Sequence, residues 1–245
     1  MSISTFYNGI LQEAKNQKKL IAFVAFIMVI SYSVYLWGSD KFIINVGLEN
    51  HPIELGTALS LFAGSVMMFM AYKRNKSVFL ILLGLVLFFG AGEELSWGQQ
   101  LVHFHTPAAI DKENVQHEFN VHNLDLFNAG NLDKTRKTGW HRLTEMNFLF
   151  RLFCISYGIF IPFLAMASAW ANGMLKKLRM PIPPITVGIF FAVNWLLFRF
   201  ILDVAPKGKP IQYYCTSSEN FEFVAGVILM VFGYYFWQQS KTKQA

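Results

Sequence analysis

The chain has 245 residues, of which 54% are hydrophobic, 16% aromatic and only 15% charged, including 25 phenylalanines. A soluble domain of this length has no interior large enough for that much apolar surface, so the composition excludes an ordinary soluble globular protein and points to an integral membrane protein. The formal net charge of +6 is concentrated in short segments between apolar runs, where it acts as a topology signal, and it does not describe a nucleic-acid-binding surface.

Residues 1–19 carry Lys15, Lys18 and Lys19 just ahead of the first apolar run, Leu20 to Trp37. That run is too long for a signal peptide, and Trp37-Gly38-Ser39-Asp40 offers no small-residue cleavage site, so it is expected to remain as a membrane anchor. Glu54 to Tyr72, Ser77 to Gln100, Met146 to Met174, Ile185 to Val204 and Phe221 to Gln238 follow as further spans. Pro162 predicts a kink in the fourth. The expected fold is all-α: a single polytopic membrane domain with a bundle of about six transmembrane helices. One long loop, 101–145, joins the third and fourth spans, and 239–245 forms a short tail.

Lysine and arginine in short loops mark the cytoplasmic side. They cluster at Lys15, Lys18 and Lys19, at Lys73, Arg74 and Lys76, at Lys176, Lys177 and Arg179, and at Lys241 and Lys243, whereas the opposite short loops hold only Lys41, Lys207 and Lys209. Both termini are therefore expected in the cytoplasm, with the long loop outside a plasma or bacterial inner membrane.

On that topology the acidic helix ends gather on the extracytoplasmic side. Glu49 and Glu54 lead into the second span, Glu93 and Glu94 close the third, Asp203 closes the fifth, and Glu219 and Glu222 open the sixth. The charge-free stretch from Val78 to Gly92 rises about 22 Å as a helix, short of the roughly 30 Å hydrocarbon thickness. Glu93 and Glu94 are thus expected just inside the boundary, where an ionisable side chain marks a functional site by default.

The long loop lies beside these acids and holds His103, His105, His117, His122 and His141, five of the six histidines. Imidazole and carboxylate together suit a divalent metal such as zinc, with His103, His117, His122 and Glu94 as candidate ligands. The spacing contains neither H-E-x-x-H nor H-x-x-x-H, so the metal signal is compositional. A His- and Asn-rich loop is more often simply solvated. Arg199 and Asp203, four apart on one helix, read first as an intrahelical ion pair. Trp97, Trp140 and Trp195 fit an interfacial aromatic belt, and Gly56, Gly64, Gly84, Gly90 and Gly92 fit close helix packing. Cys154 and Cys215 sit at different depths and imply no disulfide.

Three chemistries can use this set: metal-assisted hydrolysis, metal-free acid/base catalysis within a crowded carboxylate group, and ion or proton binding in a carrier. The expected catalytic residues are Glu93 as general base, Glu94, His122 and Asp203. Glu54, Trp97, Gln100, Asn123, Arg199 and Glu222 would contact substrate. A polar loop over a buried acidic pocket resembles a lid on a reaction site. The first expectation is therefore a membrane hydrolase or transferase acting on a lipid or membrane-associated substrate. A proton- or ion-coupled carrier or channel is second, and a structural or assembly subunit third.

Overall fold

A computed structural model of the protein describes residues 3–47, 52–129, 137–204 and 209–242. Within these the secondary structure is helical, with no strand beyond one isolated bridge between Asn114 and Leu124. The chain begins with α1 (Ile3–Asn16), α2 (Lys18–Trp37) and α3 (Asp40–Val46), followed by the antiparallel pair α4 (Pro52–Asn75) and α5 (Val78–Glu94). Short helices α6 (Gln99–Val102) and α7 (Ala108–Asp111) open the long loop. Then come α8 (Met146–Ile155), α9 (Ile161–Ala167), α10 (Ala169–Lys177), α11 (Ile185–Val204) and α12 (Ile211–Thr242).

Among the described residues, five helical stretches are long and apolar enough to cross a membrane: Lys18–Trp37, Pro52–Asn75, Met146–Ala167, Ile185–Asp203 and Gln212–Thr242. Their outward faces carry bare Phe26, Val29, Leu59, Leu152 and Leu196, which suits hydrocarbon and not water. The expected third span differs. It does not run to Gln100; α5 has 17 residues and stops at Glu94. Ser96, Trp97 and Gly98 then take φ of +44°, +53° and +82°, so the chain turns back on itself.

The fourth expected span is also remodelled. Pro162 has no N–H to give the Gly158 carbonyl, and the chain absorbs this in a π-helical turn, Ser156–Phe160, between α8 and α9. The helix then breaks at extended Ser168 (φ −129°, ψ 117°), well before Met174, and the Ser168 hydroxyl caps α10 by accepting from the Ala171 amide. Helix α11 crosses against the π turn so closely that a Cβ on Gly188 would lie 1.7 Å from the Gly158 oxygen. Only glycine fits there.

Helix α12 is the hub. Two thirds (67%) of its most apolar window is buried, against 17% for peripheral α2. It packs along most of α4, where a Cβ on Gly233 would sit 2.7 Å from the Gly64 oxygen, and α2 and α11 flank it. Without water competing, these small-residue contacts and interhelical hydrogen bonds hold the bundle. Tyr32 Oη donates to Asn194 Oδ1 at 2.7 Å, Asn194 Nδ2 to the Phe221 carbonyl at 2.8 Å, and Ser65 Oγ to the Gly84 carbonyl at 2.7 Å. The bundle is polarised end to end: α4 begins near Glu54 and ends with Lys73 and Arg74, and α12 passes Glu219 and Glu222 before reaching Lys241.

Candidate functional site

The acidic end is organised by two neighbouring carboxylates with different jobs. Glu93 is 4% exposed and fully engaged. Its Oε1 accepts from Trp97 Nε1 at 2.7 Å, and its Oε2 accepts from the backbone amides of Val121 at 2.6 Å and His122 at 2.8 Å. The turn after α5 makes this possible by folding the Trp97 indole over Gly92, where a Cβ would come within 2.8 Å of the ring. Left-handed non-glycine residues such as Ser96 and Trp97 each cost about 1–3 kcal/mol. Hydrogen bonds to a carboxylate, worth about 1.5–3 kcal/mol apiece, offset that cost.

The long loop is therefore a packed clasp. Ser96 Oγ donates to Glu118 Oε2 at 2.6 Å, Asn120 Nδ2 donates to Ser96 Oγ at 3.0 Å, and the Phe119 amide donates to Gln99 Oε1 at 2.6 Å. Fully buried Asn114 is the hub of the loop. Its Nδ2 donates to the Asn120 carbonyl at 3.0 Å, and its Oδ1 accepts from the amides of Gln116 at 3.0 Å and Glu118 at 3.1 Å. Asn123 donates through Nδ2 to Gln116 Oε1 and accepts from Asn128 Nδ2 at 3.1 Å. This internal satisfaction is what allows a polar segment to lie over an apolar bundle.

Glu94 points the other way. None of the described residues hydrogen-bonds to its carboxylate, and it faces a cavity of about 620 Å³ lined also by Glu54, His122, Asn123, Glu219 and Glu222. Glu94, Glu219 and Glu222 each offer an oxygen within 4.8 Å of the others. Carboxylates this close repel one another when all are ionised. Ser218 Oγ donates to Glu222 Oε1 at 3.3 Å. His122 Nδ1 lies 3.5 Å from Glu93 Oε2, so one carboxylate holds both the backbone and the ring of this histidine.

Glu94, His122 and Glu222 also line a second, apolar space of about 310 Å³, walled by Leu61, Leu87, Gly90, Phe150, Phe153 and Leu229. Met146 and Asn147, at the start of α8, border both spaces. Polar cavity and apolar pocket thus meet at three ionisable side chains.

The remaining expected site residues are distributed elsewhere. His103, at φ +57°, is exposed, and His117 is exposed and 3.0 Å from Asp111. The four-ligand zinc set expected from the sequence is therefore not assembled, since only His122 and Glu94 of that set share a cavity. Asp203 pairs with Arg199 at 3.3 Å on an exposed face of α11, and neither residue lines the cavity. The described wall comes from Gly47, α4, α5, the start of α8, α12 and the clasp, and no residue of α11 lines it. Trp97 braces Glu93 and leaves 40% of its surface exposed. Glu49 and the Gln100 side chain lie outside the described residues.

The sequence reading missed the clasp. Its signal was a polar residue at every second position, Asn114, Gln116, Glu118, Asn120 and His122, through a segment that among the described residues pairs only at the isolated Asn114–Leu124 bridge.

Comparison with known protein families, with curated proteins and with solved structures gives no match.

Proposed function

We propose that the protein is an integral membrane enzyme, a hydrolase or transferase whose substrate is a lipid or other membrane-associated amphiphile. The observation that carries this reading is that Glu94, Glu222 and His122 border a polar cavity and an apolar pocket at once. An amphiphile bound there has its head and its chain in matching surroundings, with its polar linkage beside the ionisable groups.

In this reading His122 is the general base. A proton on Nδ1, directed at Glu93, leaves the lone pair on Nε2 to take a proton from water or from an acceptor hydroxyl. A proton held among Glu94, Glu219 and Glu222 passes to the leaving oxygen, which balances the proton taken by His122. Glu93 is a positioning residue. A divalent ion is the alternative way to relieve the repulsion among the three carboxylates. An all-oxygen set of this kind suits magnesium, manganese or calcium better than zinc. Following the distribution of Lys and Arg, the site is assigned to the extracytoplasmic face, with both termini cytoplasmic.

The test is to reconstitute the full chain in nanodiscs containing a bacterial total lipid extract and to compare lipid profiles by mass spectrometry after incubation with and without added divalent ions. The expected result is a product that wild-type protein makes and that Glu94→Gln and His122→Ala do not. Identical product in both variants, or no change in any lipid with wild type under either condition, would sink the reading.

A further inference from the structure

We infer that the seam between α5 and the α8–α9 segment is the binding crevice for one long apolar chain of the substrate, running from the carboxylate cavity down the length of α5. This inference rests on the reading of that cavity as a reaction site and specifies its substrate class as an amphiphile with a compact polar head and at least one long chain.

The apolar pocket beneath Glu94 does not end at Phe153. Phe153 and Val86 also line a second space of about 310 Å³, bounded further by Leu82, Leu83, Tyr157 and Met180. The two spaces therefore share a wall pair and lie in line along one face of α5. Among the described residues lining the lower space only Ser156 and Tyr157 carry a hydroxyl, and Tyr157 Oη is committed to the Pro181 carbonyl at 2.9 Å. The seam is not closed by helix packing, because α5 packs along α4 and makes no comparable contact with α8, the π turn or α9. Leu82 and Val86 on α5 remain 52% and 50% exposed, as does Leu149 at 37% on α8, which leaves the crevice open sideways to the bilayer.

Length selects the occupant. From Glu94 to Phe79 the crevice follows fifteen residues of α5, about 22 Å, whereas one leaflet of a 30 Å hydrocarbon core is roughly 15 Å deep. A short acyl group fills only the upper space. A long chain fills both and buries apolar surface throughout, which is how the binding free energy of a remote part of a substrate can hold its reacting linkage in register. Ordinary boundary lipid also fills grooves between helices. What separates this groove from those is its upper end, which opens onto Glu94, His122 and Glu222 and not onto bulk interface.

The test uses the full chain in nanodiscs and a lysophospholipid probe whose long acyl chain carries a mid-chain diazirine. After photolysis, labelled positions are mapped by mass spectrometry. Labelling is expected at Leu83, Phe153, Tyr157 and Met180, at least about tenfold above lipid-facing Leu85 and Phe88, and lost on adding excess unlabelled lysophospholipid. Val86→Trp, which plugs the shared neck, is expected to abolish labelling of Tyr157 and Met180, while Leu85→Trp leaves it intact. Uniform labelling of crevice and lipid-facing positions overturns the inference. So does disulfide-linked dimer formation through Val86→Cys, which would assign the seam to a second copy of the chain. Glu94→Gln is expected to label as wild type does. If it does so yet also retains the wild-type lipid product, the chain site stands and the catalytic reading falls; if labelling is uniform while Glu94→Gln loses the product, the reverse holds.

Discussion

One oxygen of Glu93 holds His122 twice: Oε2 accepts its backbone amide at 2.8 Å and lies 3.5 Å from its ring Nδ1. The helix end that carries Glu94 into the cavity is therefore tied, through the adjacent residue, to the segment that carries His122 there. Loop and bundle are a single unit at this point, and the site's geometry depends on a carboxylate that need not touch substrate.

Glu93→Gln separates support from chemistry. The amide nitrogen of glutamine cannot accept from Val121, His122 or Trp97, so at least one buried donor loses its partner, at a cost of about 1–3 kcal/mol. Hydrogen–deuterium exchange is expected to rise at Val121 and His122 and along 114–124, with a lowered melting temperature. Glu94→Gln, whose carboxylate receives no hydrogen bond from the described residues, is expected to leave exchange along 114–124 unchanged and melting no lower than wild type, because it removes one of three crowded charges, while removing lipid turnover.

Asn114 is the second clasp position to probe. Asn114→Ala deletes acceptors for the amides of Gln116 and Glu118 and a donor to Asn120, all in a fully buried setting. The expected destabilisation of the loop is about 2–4 kcal/mol from the unsatisfied groups. It should be read as new protease cleavage between 111 and 125 while the bundle remains intact. Resistance equal to wild type would contradict the clasp.

The histidines should divide sharply. His103→Ala, His117→Ala and Asp203→Asn alter groups away from the cavity and are expected to keep turnover within about twofold, a change worth less than 0.5 kcal/mol. His122→Ala is expected to lose about 10²–10⁴-fold, the usual worth of a general base. A uniform drop across all four variants would point to a site spread over the loop.

Gly188→Ala tests the tightest helix crossing. The added Cβ falls 1.7 Å from the Gly158 carbonyl oxygen, which is backbone and cannot swing aside. Separation of α11 from the π turn is expected, seen as poor recovery of monodisperse protein in detergent and a melting temperature lowered by several degrees or more. The matched control is Gly173→Ala, where nothing lies within 4 Å, and it is expected to behave as wild type or better.

Metal content decides between the two ways of relieving the carboxylate group. If a cation sits among Glu94, Glu219 and Glu222, elemental analysis of the purified chain gives a stoichiometric divalent ion, chelation removes activity, and Glu219→Gln lowers occupancy. If a shared proton serves instead, activity survives chelation and no ion copurifies above trace level.

What the sequence determined follows from one-dimensional physics. A hydrocarbon solvent demands long apolar runs with internally satisfied backbones, so membrane character and all-helical structure were legible from composition and run length. Five of the six expected spans are long apolar helices. The acidic character of one end was legible for the same reason, because charges cluster where apolar runs stop. Tertiary structure decided everything that depends on direction. Glu93 and Glu94 are indistinguishable as a sequence pair, yet about 100° of helical rotation sends one into the clasp and the other into the cavity. Asp203 counted among the acidic helix ends by its position along the chain, but in the fold it pairs with Arg199 on an exposed face of α11 and lines no part of the cavity. The break at Glu94 was also illegible, since it is stabilised not by local propensity but by amides nearly thirty residues away, at Val121 and His122.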